Sequence, residues 1–203
     1  MKHHTAVNIL RLSLCAAVIT TAPIALCAGA KLHEFDYQII SSVINHGIDE
    51  DGENIIVDGM TTGANINISK SSQTVEELAL EFDTTVTALR EWTRINGRRY
   101  ILQEKLALDR QYTLLAEVDR SDIFNDDDPA VNWRRFRTRF PHAAGIIRVS
   151  RPGIDDTAKN AIVYLEYACG AYCGSARLVN LAQAESGAWL VTSGTLVWIT
   201  APQ

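Results

Sequence analysis

Apolar and polar residues alternate over the last third of the chain in short runs separated by turn residues. Gly145–Arg151, Ala161–Ala168, Ser175–Ala182 and Ala188–Thr200 read as four strands. The connectors are Asp155-Asp156-Thr157, Cys169 to Gly174, and Glu185-Ser186-Gly187. Gaps this short join antiparallel neighbours, so the pattern predicts a four-stranded antiparallel meander. Upstream, the period lengthens. Tyr37, Ile40, Val43/Ile44 and Ile48 fall on one face of a helix that begins at Phe35 and stops near Gly47, and His46 reads as a surface residue at its end. Ile55-Ile56-Val57 starts a short strand, and Gly59–Ser72 reads as a loop or weak strand.

Thr74–Asn96 is a second helical region. Val75, Leu78, Ala79 and Phe82 share one face, a break follows at Asp83-Thr84-Thr85, and Val86, Leu89, Trp92 and Ile95 share the next. Thr84 or Thr85 serves as N-cap and Asn96-Gly97 as the stop. Leu102–Leu115 alternates loosely, as a strand would. Asp126-Asp127-Asp128-Pro129 opens a third helix with a carboxylate cap and proline in the first turn, and Pro141 ends it. Trp133, Phe136 and Phe140 form its core face; Arg134, Arg135, Arg137 and Arg139 form a solvated face paired with nearby aspartates. The resulting expectation is an α+β fold, a C-terminal four-stranded antiparallel meander covered by helices. The Phe35–Gly47 helix lies across it, with Val163, Leu165, Leu178, Leu196 and Trp198 as core.

The first thirty residues follow a different pattern. Lys2 and Arg11 precede an apolar run from Leu12 to Cys27, and Ala28-Gly29-Ala30 supplies small residues for a signal-peptidase cut after Ala30. The run is shorter than the roughly 20 residues of a span and contains Pro23, so no transmembrane segment is expected after cleavage. Cys15 and Cys27 raise a lipoprotein anchor, but each follows leucine (Leu14, Leu26) where a small residue is usual. The reading is an exported protein, periplasmic or secreted, with residues 31–125 a helical or mixed region and 126–203 a helix plus sheet, packed together as one domain. Removing Lys2 and Arg11 moves the net charge from −5 to −7. That acidity argues against nucleic acid as a partner.

Export leaves Cys169 and Cys173 in an oxidising compartment, at the inner ends of facing strands. They are expected to form a disulfide. Thr74-Val75-Glu76-Glu77-Leu78-Ala79 with Phe82, Val86 and Leu89 resembles the helix pair of LysM modules, over residues 68–115; this resemblance implies binding to the glycan of peptidoglycan or chitin. Ser72-Gln73 stands where that family has Gly-Asp, and Thr93 near its Asn. Further on, Trp133-x-x-Phe136, Phe140-Pro141, Gly145, Ser150-Arg151-x-Gly153, Ala161-x-Val163-Tyr164, Cys169-Gly170, Cys173-Gly174, Trp189 and Trp198-Ile199-Thr200 resemble a family of uncharacterised secreted bacterial proteins. The resemblance implies that this segment is one unit and supplies no catalytic residues.

Ser150, His142 and Asp155 or Asp156 contain the residue types of a hydrolytic triad, but no Gly-x-Ser-x-Gly elbow surrounds Ser150. His33, His46 and His142 lack metal-ligand spacing, and no cofactor motif is present. Ser150, Arg151, Tyr164 and Tyr167 are the candidate binding residues. The expected function is an exported, non-catalytic envelope protein that binds a partner protein or cell-wall glycan. The alternatives are a LysM-like peptidoglycan-binding module, or a small hydrolase or ligand-binding cone built on a bent sheet.

Overall fold

A computed structural model describes residues 30–47, 54–63 and 73–200. Residues 1–29 of the expected 1–30 leader, Ile48 of the first helical face and most of the Gly59–Ser72 segment lie outside the described residues. The elements in chain order are β1 (Ala30–Lys31), α1 (Glu34–Gly47), β2 (Asn54–Asp58), α2 (Val75–Glu81), α3 (Val86–Ile95), β3 (Tyr100–Ile101), β4 (Tyr112–Leu115), α4 (Glu117–Ile123), α5 (Pro129–Arg139), β5 (Ala143–Val149), β6 (Gly153–Ile154), β7 (Asn160–Gly170), β8 (Cys173–Gln183) and β9 (Trp189–Thr200). The fold is α+β. Its C-terminal meander is present, with β5, β7, β8 and β9 paired antiparallel in that order.

The sheet is larger than the expected four strands, and it is mixed. Seven strands join it in the order β4-β2-β5-β7-β8-β9, with β6 also paired to β7. Both β4 and β5 run parallel to β2. Parallel neighbours need a long crossover, here the helix pairs α2/α3 and α4/α5, so no short turn announces them in the sequence. Of the loose alternation from Leu102 to Leu115, only Tyr112–Leu115 is strand in this sheet; Tyr100–Ile101 pairs with β1 separately.

Strand alternation gives the sheet two faces. On one, α1 buries Tyr37, Ile40, Val43 and Ile44 against Val57, Ile147, Val149, Val163, Leu165 and Val179. Each such aliphatic side chain contributes about 1.5–3 kcal/mol when fully buried. Gly47 ends α1 tight against the sheet: a Cβ there would come within 2.6 Å of Leu165 Cδ2. On the other face, α2 and α3 bury Leu78, Phe82, Leu89 and Trp92 against Ile162, Tyr164 and Leu178. Beside them α4 and α5 bury Ile123 and Phe136 against Ile56, Leu115 and Ile146.

The caps follow the local chemistry. Thr74 and Glu77 form a reciprocal capping box on α2, Thr85 caps α3, and Asp128 caps α5 ahead of Pro129. On the exposed face of α5, Arg135 pairs with Asp126 and Arg139 with Asp119. The core expectation needs three corrections. Leu178 faces α2/α3, because Val179 is the residue paired with Val163. Trp198 is half-buried on that same face. Leu196 is 50% exposed, lying opposite Arg177 rather than beneath α1. Irregularities at Ala176/Arg177 and Asn180/Leu181 shift β9 against β8, so simple alternation from Ala188 loses phase.

Candidate functional site

The four candidate binding residues do not converge on one site. Ser150 is fully buried. Its hydroxyl accepts from Trp92 Nε1 (2.8 Å) and Tyr164 N (2.9 Å) and donates to the carbonyl of Arg151 (3.1 Å). His142 is exposed in the turn before β5, and the Asp155 carboxylate accepts from Thr157, Lys159 and Asn160 within its own loop. The hydroxyl contacts of Ser150 therefore include none of the other triad candidates. Arg151 pairs with buried Asp36 (3.2 Å), and its guanidinium sits 4.9 Å from the Tyr100 ring centre. Asn96, at the end of α3, clamps the Arg151 backbone with bonds of 2.9 Å in both directions. Ser150 and Arg151 thus join α3 and α1 to the end of β5.

Tyr164 and Tyr167 point to opposite faces of β7, as their odd separation requires. Tyr164 accepts from Trp198 Nε1 (3.0 Å) and donates to Glu166 (3.3 Å). Burial pushes its phenol up to about 12; the Trp198 bond opposes this and neighbouring Glu166 reinforces it. Tyr167 lies on the α1 face and lines a trough of about 930 Å³. The helix end supplies Asn45, His46 and Gly47 as one wall. The sheet supplies Tyr167, Ser175 and Arg177 as the floor, with Thr192 and Ser193 at the β9 side. The trough exists because α1 stops at Gly47 while β7, β8 and β9 continue beyond it.

A second concavity, of about 310 Å³, opens on the opposite face between the two helix pairs. It sits at the carboxyl ends of the parallel strands β2, β4 and β5, where open α/β sheets commonly bind ligands. Asp58, the last residue of β2, is 2% exposed. Its Oδ2 lies 3.1 Å from Arg120 Nε and 3.5 Å from Arg148 Nε; its Oδ1 lies 3.8 Å from Arg99 Nη2 and accepts from Met60 N. Burial raises the Asp58 carboxyl above the ordinary aspartate value, against the pull of Arg120, the Met60 amide, Arg148 and Arg99. Arg148 also pairs with Glu166, and Arg120 with Glu117 (3.5 Å). Sequence reasoning missed this cluster, since its members are spread from Asp58 to Glu166. The usable signals were Asp58 closing an apolar strand and the Arg98-Arg99 doublet.

Cys169 and Cys173 are bonded as a disulfide, with Cα atoms 5.0 Å apart across the β7–β8 turn. Among the described residues, no group of three or more His, Cys, Asp or Glu side chains is placed to hold a metal ion. Also among those residues, no helix is long and apolar enough to cross a membrane. Both helices of the LysM-like pattern form, and β4, the strand that ends that segment, pairs in parallel with β2. Searches with family models, among curated proteins and among solved structures yield no match to this chain.

Proposed function

We propose that the protein is an exported, non-catalytic binding module of the cell envelope whose ligand lies in the trough beside α1. The observation that carries this reading is the trough itself. Its volume of about 930 Å³ falls in the range of small-ligand sites, roughly 300–1,000 Å³. Its lining combines the Tyr167 ring with hydroxyl, amide, imidazole and guanidinium groups from Ser175, Thr192, Asn45, His46 and Arg177. An aromatic ring beside several hydrogen-bonding groups suits a hydroxyl- and amide-rich ligand, and cell-wall glycan is the member of that class an exported protein meets. The ligand-binding cone is thus the alternative that the geometry favours, with binding rather than hydrolysis as its activity.

The test is co-sedimentation of the mature, oxidised protein with purified peptidoglycan, followed by titration with soluble fragments. Arg177→Ala should weaken binding by about tenfold, the loss of one charge-assisted contact. Leu80, 83% exposed on α2, probes the LysM-like segment. If Leu80→Glu abolishes binding and Arg177→Ala leaves it intact, the glycan belongs to the helix pair. Absence of binding in both assays overturns the glycan reading. Export is tested by mass measurement of the processed chain: an N-terminus at Lys31 is expected, and a diacylated Cys27 refutes soluble export.

A further inference from the structure

The concavity between the helix pairs is positively charged in a chain that is negative overall. Among the described residues, Arg98, Arg99, Arg120 and Arg148 line it, against the lining carboxylates Asp58 and Glu166, with Glu117 also 3.5 Å from Arg120 and 3.9 Å from Arg99. The two lining carboxylates are engaged from the sheet side. Asp58 Oδ2 pairs with Arg120 and Arg148 by charge, 3.1 and 3.5 Å from their Nε atoms and without a hydrogen bond from either, and Glu166 accepts from Arg148 Nη1. Glu166 is itself tied to Tyr164 and, through that phenol, to Trp198. Arg99 is placed from the other side: its Nε donates to the Thr61 carbonyl (3.0 Å), while its Nη2 stays 3.8 Å from Asp58 and 3.9 Å from Glu117, too far for a direct hydrogen bond. Arg98 Nε donates to the Tyr100 hydroxyl (3.0 Å).

An ion network built only for stability is a poor investment at this position. Desolvating charges is expensive, and apolar filling of the seam between two hydrophobic clusters would serve stability as well or better. Asp58, Glu166 and Glu117 offset part of the mutual repulsion of the four guanidinium groups, and a bound anion would offset the remaining positive charge. The planar guanidinium forks are suited to two-oxygen recognition of carboxylate or phosphate. Thr62, which also lines the cavity, brings a hydroxyl able to hydrogen-bond a small polar ligand, whereas the Asn96 amide is committed to Trp92 and Arg151. We infer that this arginine-lined concavity at the carboxyl ends of β2, β4 and β5 is an oxyanion-binding site for a compact ligand bearing a phosphate or carboxylate head. Asp58 and Glu166 are its positioning residues: they hold guanidinium groups in place and are not ligand contacts. The site lies on the sheet face opposite the trough, so it stands or falls independently of the glycan reading.

The experiment uses the mature, oxidised chain, isotopically labelled for observation of arginine Nε–H resonances. It is titrated separately with inorganic phosphate and with acetate, at ionic strength held constant with chloride. The expected result is saturable shifts confined to Arg98, Arg99, Arg120 and Arg148, with either anion or with both; the tighter binder identifies the headgroup. Arg99→Gln, the substitution that disturbs the weakest internal pairings, should reduce affinity by about tenfold while the protein stays folded. Arg98→Gln provides the same readout if the first variant does not fold. Arg90→Gln, on an exposed pair with Glu76, should leave the affinity unchanged. Non-saturating shifts spread over all exposed arginines, or affinity unchanged in both pocket variants, overturn the inference.

Discussion

Replacing Ser150 by alanine removes one hydroxyl from a fully buried junction, and the consequence can be worked from its three bonds. Trp92 Nε1 and Tyr164 N both donate to that hydroxyl, so alanine leaves two buried donors without an acceptor. A buried donor left unsatisfied costs about 1–3 kcal/mol. The carbonyl of Arg151 also loses its bond from Ser150 but keeps the one from Asn96 Nδ2, so it adds little. The backbone bond from Ser150 N to Tyr164 O survives. The expected destabilisation is about 2–4 kcal/mol, measured by urea unfolding of the oxidised protein. Trp92→Phe removes one of the two orphaned donors. In that background Ser150→Ala should cost less by about 1–3 kcal/mol, a coupling that a double-mutant cycle reads directly. A loss below about 0.5 kcal/mol, the range of inert surface changes, would refute the reasoning and reopen a chemical role for the hydroxyl.

Gly153→Ala should destabilise by about 3 kcal/mol or more, the upper end of overpacking, because the new Cβ would lie 2.6 Å from Trp92 Cα and 2.5 Å from Ala88 O; a neutral result in thermal unfolding would mean that α3 can move away from β6 freely. For Asp155, burial raises the carboxyl, but the hydrogen bonds from Asn160, Lys159 and Thr157 outweigh it and the net shift is downward. A depressed native value stabilises above the unfolded pKa of about 3.9 and is lost as pH falls through the native value; Asp155→Asn should therefore cost stability at neutral pH, and the gap to the parent should close below pH 4 or so. A gap that stays constant down to the acid transition would contradict the shift. Alkylating the denatured, unreduced protein should add nothing at Cys169 and Cys173, and reducing them should cost about 2 kcal/mol by loop entropy; two alkyl groups would show free thiols.

What the sequence made legible was local. The Asp128-Pro129 cap, the break at Asp83–Thr85 and the hairpins around Gly170 and Gly187 each rest on a few adjacent residues, and each is present. The parallel placement of β2 was not legible, because Ile55-Ile56-Val57 carries no mark of which distant strand it joins. Nor was α4, whose seven residues bury only Ile123 and expose Val118. Of the candidate binding residues, Tyr167 lines the trough, whereas Ser150 and Arg151 bond to Trp92, Tyr164 and Asp36 at the junction of β5 with α3 and α1. The arginine-lined cavity was invisible for the same reason as β2: Asp58 and Arg148 meet only once their strands are parallel neighbours.

That meeting has a structural logic of its own. The register pairs Asp58 with Leu115, Arg148 with Glu166, Glu166 with Ala176 and Ala176 with Trp198, while Asp58 reaches Arg148 side by side. One row across the sheet therefore runs apolar, acidic, basic, acidic, small and aromatic. Because side chains alternate, slipping β2 or β5 by one residue would turn Asp58 or Arg148 into the face packed by α1, among Ile40, Val43 and Ile44. An uncompensated charge there would cost several kcal/mol, whereas the apolar residues of β2 alone, Ile55 to Val57, would tolerate either face. The charged row thus specifies the register of the parallel strands, which carry no hairpin turn to set it. The same row holds the guanidinium groups at the strand ends, so the arrangement that fixes the sheet also builds the cavity.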